Sequence, residues 1–159
     1  MTSGEIHAWN ILDRQPVVAR WENSAFTEFA PTDEIPDQNK WIGPPLVDLQ
    51  INGFAGIDFQ QDKLSADQLI HATSALENAG CSNFFFTLIT SEWDLMAERL
   101  TKAKKLRDKH TRLQQSIAGW HIEGPFLSAE TGYCGAHLPN LMLEPTEVRL
   151  TKIRDIVGK

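Results

Sequence analysis

The chain has 159 residues, 42% hydrophobic and 23% charged, proportions ordinary for a globular protein and a length sufficient to bury a core. Its 15 Lys and Arg against 21 Asp and Glu leave a formal charge of −6, the wrong sign for a nucleic-acid footprint, and no apolar run is long enough to span a bilayer. The N-terminus lacks the basic and apolar regions of a signal peptide, and Cys81 and Cys134 make no disulfide framework, so the expected setting is the cytoplasm, with neither nucleic acid nor membrane as a partner.

Residues 5 to about 30 read as short strands, with Val17-Val18-Ala19-Arg20-Trp21 strongest in β propensity and turns at Asp13-Arg14 and Glu22-Asn23-Ser24. Thr32 to Lys40 is polar and flanked or interrupted by proline, which predicts a connecting loop. From Pro45 strands and helices alternate. Leu46 to Ile51 reads as a first buried strand. Ser65 and Gln68 then predict a capping box, opening a helix with Leu69, Ala72, Leu76 and Ala79 along its apolar stripe and Gly80 at its end. Cys81 to Thr90 is a near-continuous apolar run, as expected of a strand covered on both faces. Ser91 is placed to cap a second helix, with Trp93, Met96, Leu100, Ala103 and Leu106 on one side and a solvated basic run in the last turns. A third strand begins at Ser116, and Pro145 is placed to start a last helix carrying Leu150, Ile153 and Val157 on one face. This succession predicts a parallel sheet built from three β/α units.

The third strand runs into His121-Ile122-Glu123-Gly124-Pro125-Phe126. Side chains alternate along a strand, so His121 and Glu123 point the same way before Gly124 and Pro125 stop it. Gln50 and Asn52 are likewise two apart at the end of the first strand and share a face. All four would open on the C-terminal edge of a parallel sheet, where ligands bind in α/β proteins. On spacing alone a plain hydrogen-bonded His-x-Glu pair, and a polar plug made by Gln50 and Asn52, remain open as readings. His71 and His110 fall on helices away from this edge, and His7 reads as a surface strand residue.

The six-residue string, followed by Gly135-Ala136-His137, resembles the N-acetylglucosamine-6-phosphate deacetylase family of the amidohydrolase superfamily. Pro45-Leu46-Val47-Asp48-Leu49-Gln50-Ile51-Asn52-Gly53 is similar to the same family's first barrel strand, and the resemblance runs from about Pro44 to Pro139. It implies an α/β fold: the N-terminal part of a metal-dependent-hydrolase (β/α)₈ TIM-like barrel, preceded by a short β segment. Residues 1–43 would then be β-rich and part of a small β-sandwich, and residues 44–159 the first three β/α units of an incomplete amidohydrolase barrel.

The resemblance further implies hydrolysis of the N-acetyl amide of an amino-sugar phosphate with one divalent metal ion, zinc being the expected identity. Glu123 is the implied metal ligand, Ala136 and His137 the implied sugar contacts, and Gln50, Asn52 and His121 the lining of the mouth. The family's two later histidines and its catalytic aspartate have no counterpart in this chain, so no catalytic residue is expected here and the chain is expected to be inactive alone. The complete enzyme is expected to be a homo-oligomer. The loop Ser128 to Cys134 carries Glu130 and Tyr133 in place of the family's commoner basic residues, which leaves the sugar-6-phosphate specificity open. A related amidohydrolase with another amide substrate, or a non-catalytic truncated module, are the alternatives.

Overall fold

The computed structural model describes residues 2–158 and divides into two compact units, Met1–Pro44 and Pro45–Lys159. The first is a sheet of four strands: β1 (Ser3–Asn10), β2 (Pro16–Glu22), β3 (Ala25–Pro31) and β4 (Trp41–Ile42), ordered β3-β2-β1-β4. The β2–β3 connection turns on Asn23 and Ser24, both at positive φ, the twist that a two-residue hairpin requires. Ala8, Val17, Val18 and Ala19 are buried at the centre of this sheet. Register sets Glu5 opposite Arg20 and Arg20 opposite Glu28, so one guanidinium bridges carboxylates on both neighbouring strands. Hydrogen bonds from His7 and then Arg20 hold the Glu5 carboxyl below its ordinary range. The strand β4, paired parallel to β1 through Trp9 and Trp41, was not expected beyond the Thr32–Lys40 loop. Trp9 N–H donates to Lys40 O and Ile11 N–H to Ile42 O along this pairing, and the Trp41 and Trp9 ring centroids lie 6.3 Å apart.

The second unit is built on a three-stranded parallel sheet, β5 (Leu46–Ile51), β8 (Cys81–Ile89) and β9 (Ile117–Glu123), in the order β5-β8-β9. Between β5 and the first helix lies a hairpin of β6 (Gly53–Phe54) and β7 (Ile57–Asp58). The helices are α1 (Ala66–Asn78), α2 (Trp93–Lys109), α3 (Thr111–Ser116) and α4 (Glu147–Val157). The central strand β8 buries Phe84, Phe86 and Leu88 among Leu69 and Leu76 of α1, Met96 and Leu100 of α2 and Leu113 of α3. Phe59, from the loop after β7, stacks on Phe86 with centroids 4.8 Å apart and planes 4° apart. Burying a side chain of this size stabilises by about 1.5–3 kcal/mol, so the three phenylalanines dominate the packing around β8. The capping box at Ser65 and Gln68 is formed in both directions.

Several expectations are corrected. The strand β5 is an edge strand here, and Leu46, Val47 and Leu49 are exposed; only Ile51 is buried. Ala79 is the exposed cap of α1, and Thr73 takes its place on the buried face by returning its hydroxyl to Leu69 O at 2.8 Å. Ser91 caps nothing: Glu92 occupies the N-cap of α2 without a side-chain bond, and Ser91 Oγ is buried without a partner among the described residues. The last helix starts at Glu147 with Thr146 as N-cap, so Pro145 lies outside it. His110, read in sequence as lying on a helix, sits at the break between α2 and α3 in extended backbone, and α3 is a short helix that the sequence reading did not include. The expected three-stranded parallel sheet is present, and it is open among the described residues. No helix among them is long and apolar enough to cross a membrane.

Arg112 reaches back from α3 to Glu77 on α1, whose other oxygen accepts from Ser116 Oγ at 3.2 Å. The Arg112 hydrogen bond holds the Glu77 carboxyl below its ordinary value of 4.5. A carboxyl lowered on folding stabilises the fold above its unfolded value, and that contribution is lost as pH falls through the lowered one. Arg112→Ala should therefore lower the melting temperature at pH 7, and the gap from the parent should close as pH falls well below 4.5. Thermal melts from pH 7 to pH ~2 check this.

Candidate functional site at the strand C-termini

Parallel pairing brings the C-terminal ends of β5, β8 and β9 to one edge of the sheet. Gln50, next to last in β5, reaches over the end of β8 to Glu123, last in β9, with Gln50 Nε2 donating to Glu123 Oε2 at 2.5 Å. The other carboxylate oxygen, Oε1, lies 3.4 Å from His137 Nε2. Side-chain exposures of 30% for Glu123 and 16% for His137 leave the carboxylate reachable from solvent and the imidazole mostly enclosed. His121 shares the Glu123 face of β9 and stands with Nδ1 3.5 Å from Thr87 Oγ1 on β8.

The chain turns sharply after the carboxylate. Gly124 has φ 85°, a conformation that costs an L side chain about 1–2 kcal/mol, and a Cβ there would run into Thr90 Oγ1. That hydroxyl donates to the carbonyl of Glu123 at 3.2 Å, so glycine and threonine together fix the backbone that carries the carboxylate. His137 arrives from a tight loop: Tyr133 N–H and Cys134 N–H both donate to Glu130 O, and His137 N–H donates to Cys134 O at 3.1 Å.

Gln50, Glu123 and His137 are thus brought into contact, with His121 on the same face of β9. Asn52 and Ala136 are not joined to them by a hydrogen bond. Asn52 is exposed, its backbone oxygen accepting from Phe59 N–H at 3.0 Å beside the β6–β7 hairpin. Ala136 is exposed in the loop before His137. Thr90 was missed in sequence. A polar residue closing an apolar strand, as in Ile89-Thr90, is the signal that could have found it.

A carboxylate held between an amide donor and an imidazole can accept protons or ligate a cation. A catalytic zinc site generally takes three protein ligands and leaves one position for water. Among the described residues no three His, Cys, Asp or Glu side chains gather around one point, and the second oxygen of Glu123 is engaged by Gln50. The residues present therefore do not complete a metal site, and Glu123 is the carboxylate that Gln50 and His137 meet.

Comparison with proteins of known structure identifies the fold. The fold matches N-acetylglucosamine-6-phosphate deacetylase from Thermotoga maritima, with TM-score 0.76 and 23% identity over 94% of this chain and 39% of that one. It also matches the Mycobacterium smegmatis N-acetyl-D-glucosamine-6-phosphate deacetylase, an Asp-to-Ala mutant in complex with N-acetyl-D-glucosamine-6-phosphate, with TM-score 0.72 and 20% identity over 99% of this chain and 41% of that one.

Curated relatives carry the same name. The chain is similar to N-acetylglucosamine-6-phosphate deacetylase of Haemophilus influenzae, 32% identical over 64% of this chain and 25% of that protein. The Danio rerio enzyme is 33% identical over 66% of this chain and 25% of its own length, and the Bacillus subtilis enzyme 29% identical over 77% and 29%. The chain spans about a quarter of the length of these relatives and looks like an N-terminal portion of such a protein. No family model matches.

Gly124→Ala should destabilise the chain by at least about 1–2 kcal/mol, because both the backbone angle and the Thr90 hydroxyl resist the new Cβ. Urea denaturation measures the loss, and a variant as stable as the parent would show that Thr90 does not pin this turn.

Proposed function

We propose that this chain is part of a metal-dependent amidohydrolase that removes the acetyl group of N-acetylglucosamine-6-phosphate, releasing acetate and glucosamine-6-phosphate. The observation that carries the reading is the meeting of Gln50, Glu123 and His137 at the C-terminal edge of three parallel strands. The three β/α units are read as the opening of a (β/α)₈ barrel whose remaining strands lie outside this chain. The strand order and the exposed apolar residues of β5 support that.

In this reading Glu123 is one donor to a single divalent ion, zinc being the favoured identity, and the other ligands and the general base come from outside these residues. Gln50 orients the Glu123 carboxylate, since an amide that donates to Oε2 fixes its rotation and leaves Oε1 turned toward His137. The Ala136 backbone and the His137 imidazole face a sugar hydroxyl or phosphate oxygen as hydrogen-bond partners; the absence of a side chain beyond Cβ at Ala136 permits close approach. His121 and Asn52 line the mouth. The complete enzyme is taken to be a cytoplasmic homo-oligomer.

In the complete enzyme, Glu123→Gln should lower both bound metal and acetate release by more than the roughly 10–100-fold that loss of an outer-shell partner costs. Elemental analysis and an acetate assay measure the two. Near-normal metal content and turnover would show that Glu123 is not a ligand. The same assay on N-acetylglucosamine without the phosphate tests the substrate, because Glu130 and Tyr133 supply no cation in the loop beside His137. Residues 1–159 alone, with zinc added, should release no acetate above background.

A further inference from the structure

The β5 ladder ends early. It pairs with β8 only as far as Ile51 opposite Phe86, three residues short of the end of β8 at Ile89. Beyond that point the carbonyl of Thr87 and the N–H of Ile89 are taken by a single side chain. Gln60 Nε2 donates to Thr87 O at 2.9 Å, and Ile89 N–H donates to Gln60 Oε1 at 3.2 Å. A residue of a neighbouring parallel strand makes this same pair of bonds, giving its N–H to one residue and taking an N–H from the residue two further on. The Gln60 amide therefore stands where the next stretch of β5 would be.

The side chain is itself held in place. Phe59, next to it, is buried to 1% exposure and stacked on Phe86, and the Gln60 N–H donates to Asp58 Oδ1 at 2.8 Å. On the opposite edge of β8, Ile89 is the register partner of Glu123, and Thr90 holds the Glu123 carbonyl. Gln60, the tip of β8 and the carboxylate thus lie in one line across the sheet.

We propose that Gln60 is a positioning residue for Glu123. By completing the ladder on the β5 side it fixes the last turn of pleat in β8, and the Ile89–Glu123 pairing passes that to the carboxylate that meets Gln50. Its hydrogen bonds go to β8 and not to Glu123, so it acts through the strand. The significance of the inference rests on Glu123 being the working carboxylate, whereas its test reads geometry alone.

The test uses isotope-labelled residues 1–159 as the parent, with Gln60→Ala, Gln60→Glu and a control, Arg112→Ala, that breaks the Glu77 pair where α1 and α3 lead into the starts of β8 and β9. In Gln60→Ala, exchange of the Ile89 N–H should accelerate about tenfold, and the Gln50 side-chain amide resonances should move toward those of a free amide. Gln60→Glu keeps the acceptor for Ile89 and loses the donor to Thr87, so it should fall between parent and alanine variant in both measurements. Arg112→Ala should lower the melting temperature and leave the Gln50 resonances in place. Unmoved Gln50 resonances in Gln60→Ala would overturn the proposal, reducing Gln60 to a structural role without touching the assignment of Glu123. Unchanged Ile89 exchange would overturn it as well, since the ladder bond would then carry no weight.

Discussion

The parallel pairing of β8 with β5 on one side and β9 on the other is the constraint on which the site depends. Parallel strands send all their C-termini to one edge, so residues far apart in sequence, Gln50 and Glu123, end within hydrogen-bonding reach. The spacing between adjacent strands is about 4.8 Å, and a glutamine side chain and a glutamate side chain together bridge the intervening strand. Shorter side chains at either end would leave the gap open. The carboxylate is placed by the ladder, and its rotation is set by the amide.

The ladder in turn is held by burial. The strand β8 is covered by α1, α2 and α3, and its Phe84 and Phe86 meet Phe59 from the loop that follows β7. That loop ties packing to the site: the residue that stacks on the core is the immediate neighbour of the residue that closes the ladder. A disturbance of the aromatic stack would be felt at the strand ends through one peptide bond.

Charge plays a lesser part. The Glu5–Arg20–Glu28 bridge in the first unit and the Glu77–Arg112 pair in the second are partly exposed, where ion pairs contribute little to stability. Three basic side chains of α2 make contacts within the protein. Lys102 donates to Asp62 O in the loop before α1, Lys104 pairs with Asp108 one turn on in the same helix, and Arg107 donates to Ile117 O at the start of β9.

What the sequence determined by itself is the alternation of β and α elements, the capping box at Ser65, the strand ending at Glu123 and the resemblance carried by its motif. Each rests on local chemistry: side-chain periodicity, a hydroxyl three residues before an amide, glycine and proline after a carboxylate. What only the tertiary structure decided is which side chains meet. Gln50 touches Glu123 while Asn52, equally well spaced in the sequence, turns to the hairpin, because Phe59 N–H claims the Asn52 carbonyl and bends the chain away from the strand. Ser91 looked like a cap and is not one, since the helix begins one residue later, at a point fixed by the packing of Trp93 and Met96. Thr90 and Gln60 carry no motif; their roles come from backbone groups on strands distant in sequence, and a hydrogen bond to a distant backbone leaves no pattern in the chain that makes it.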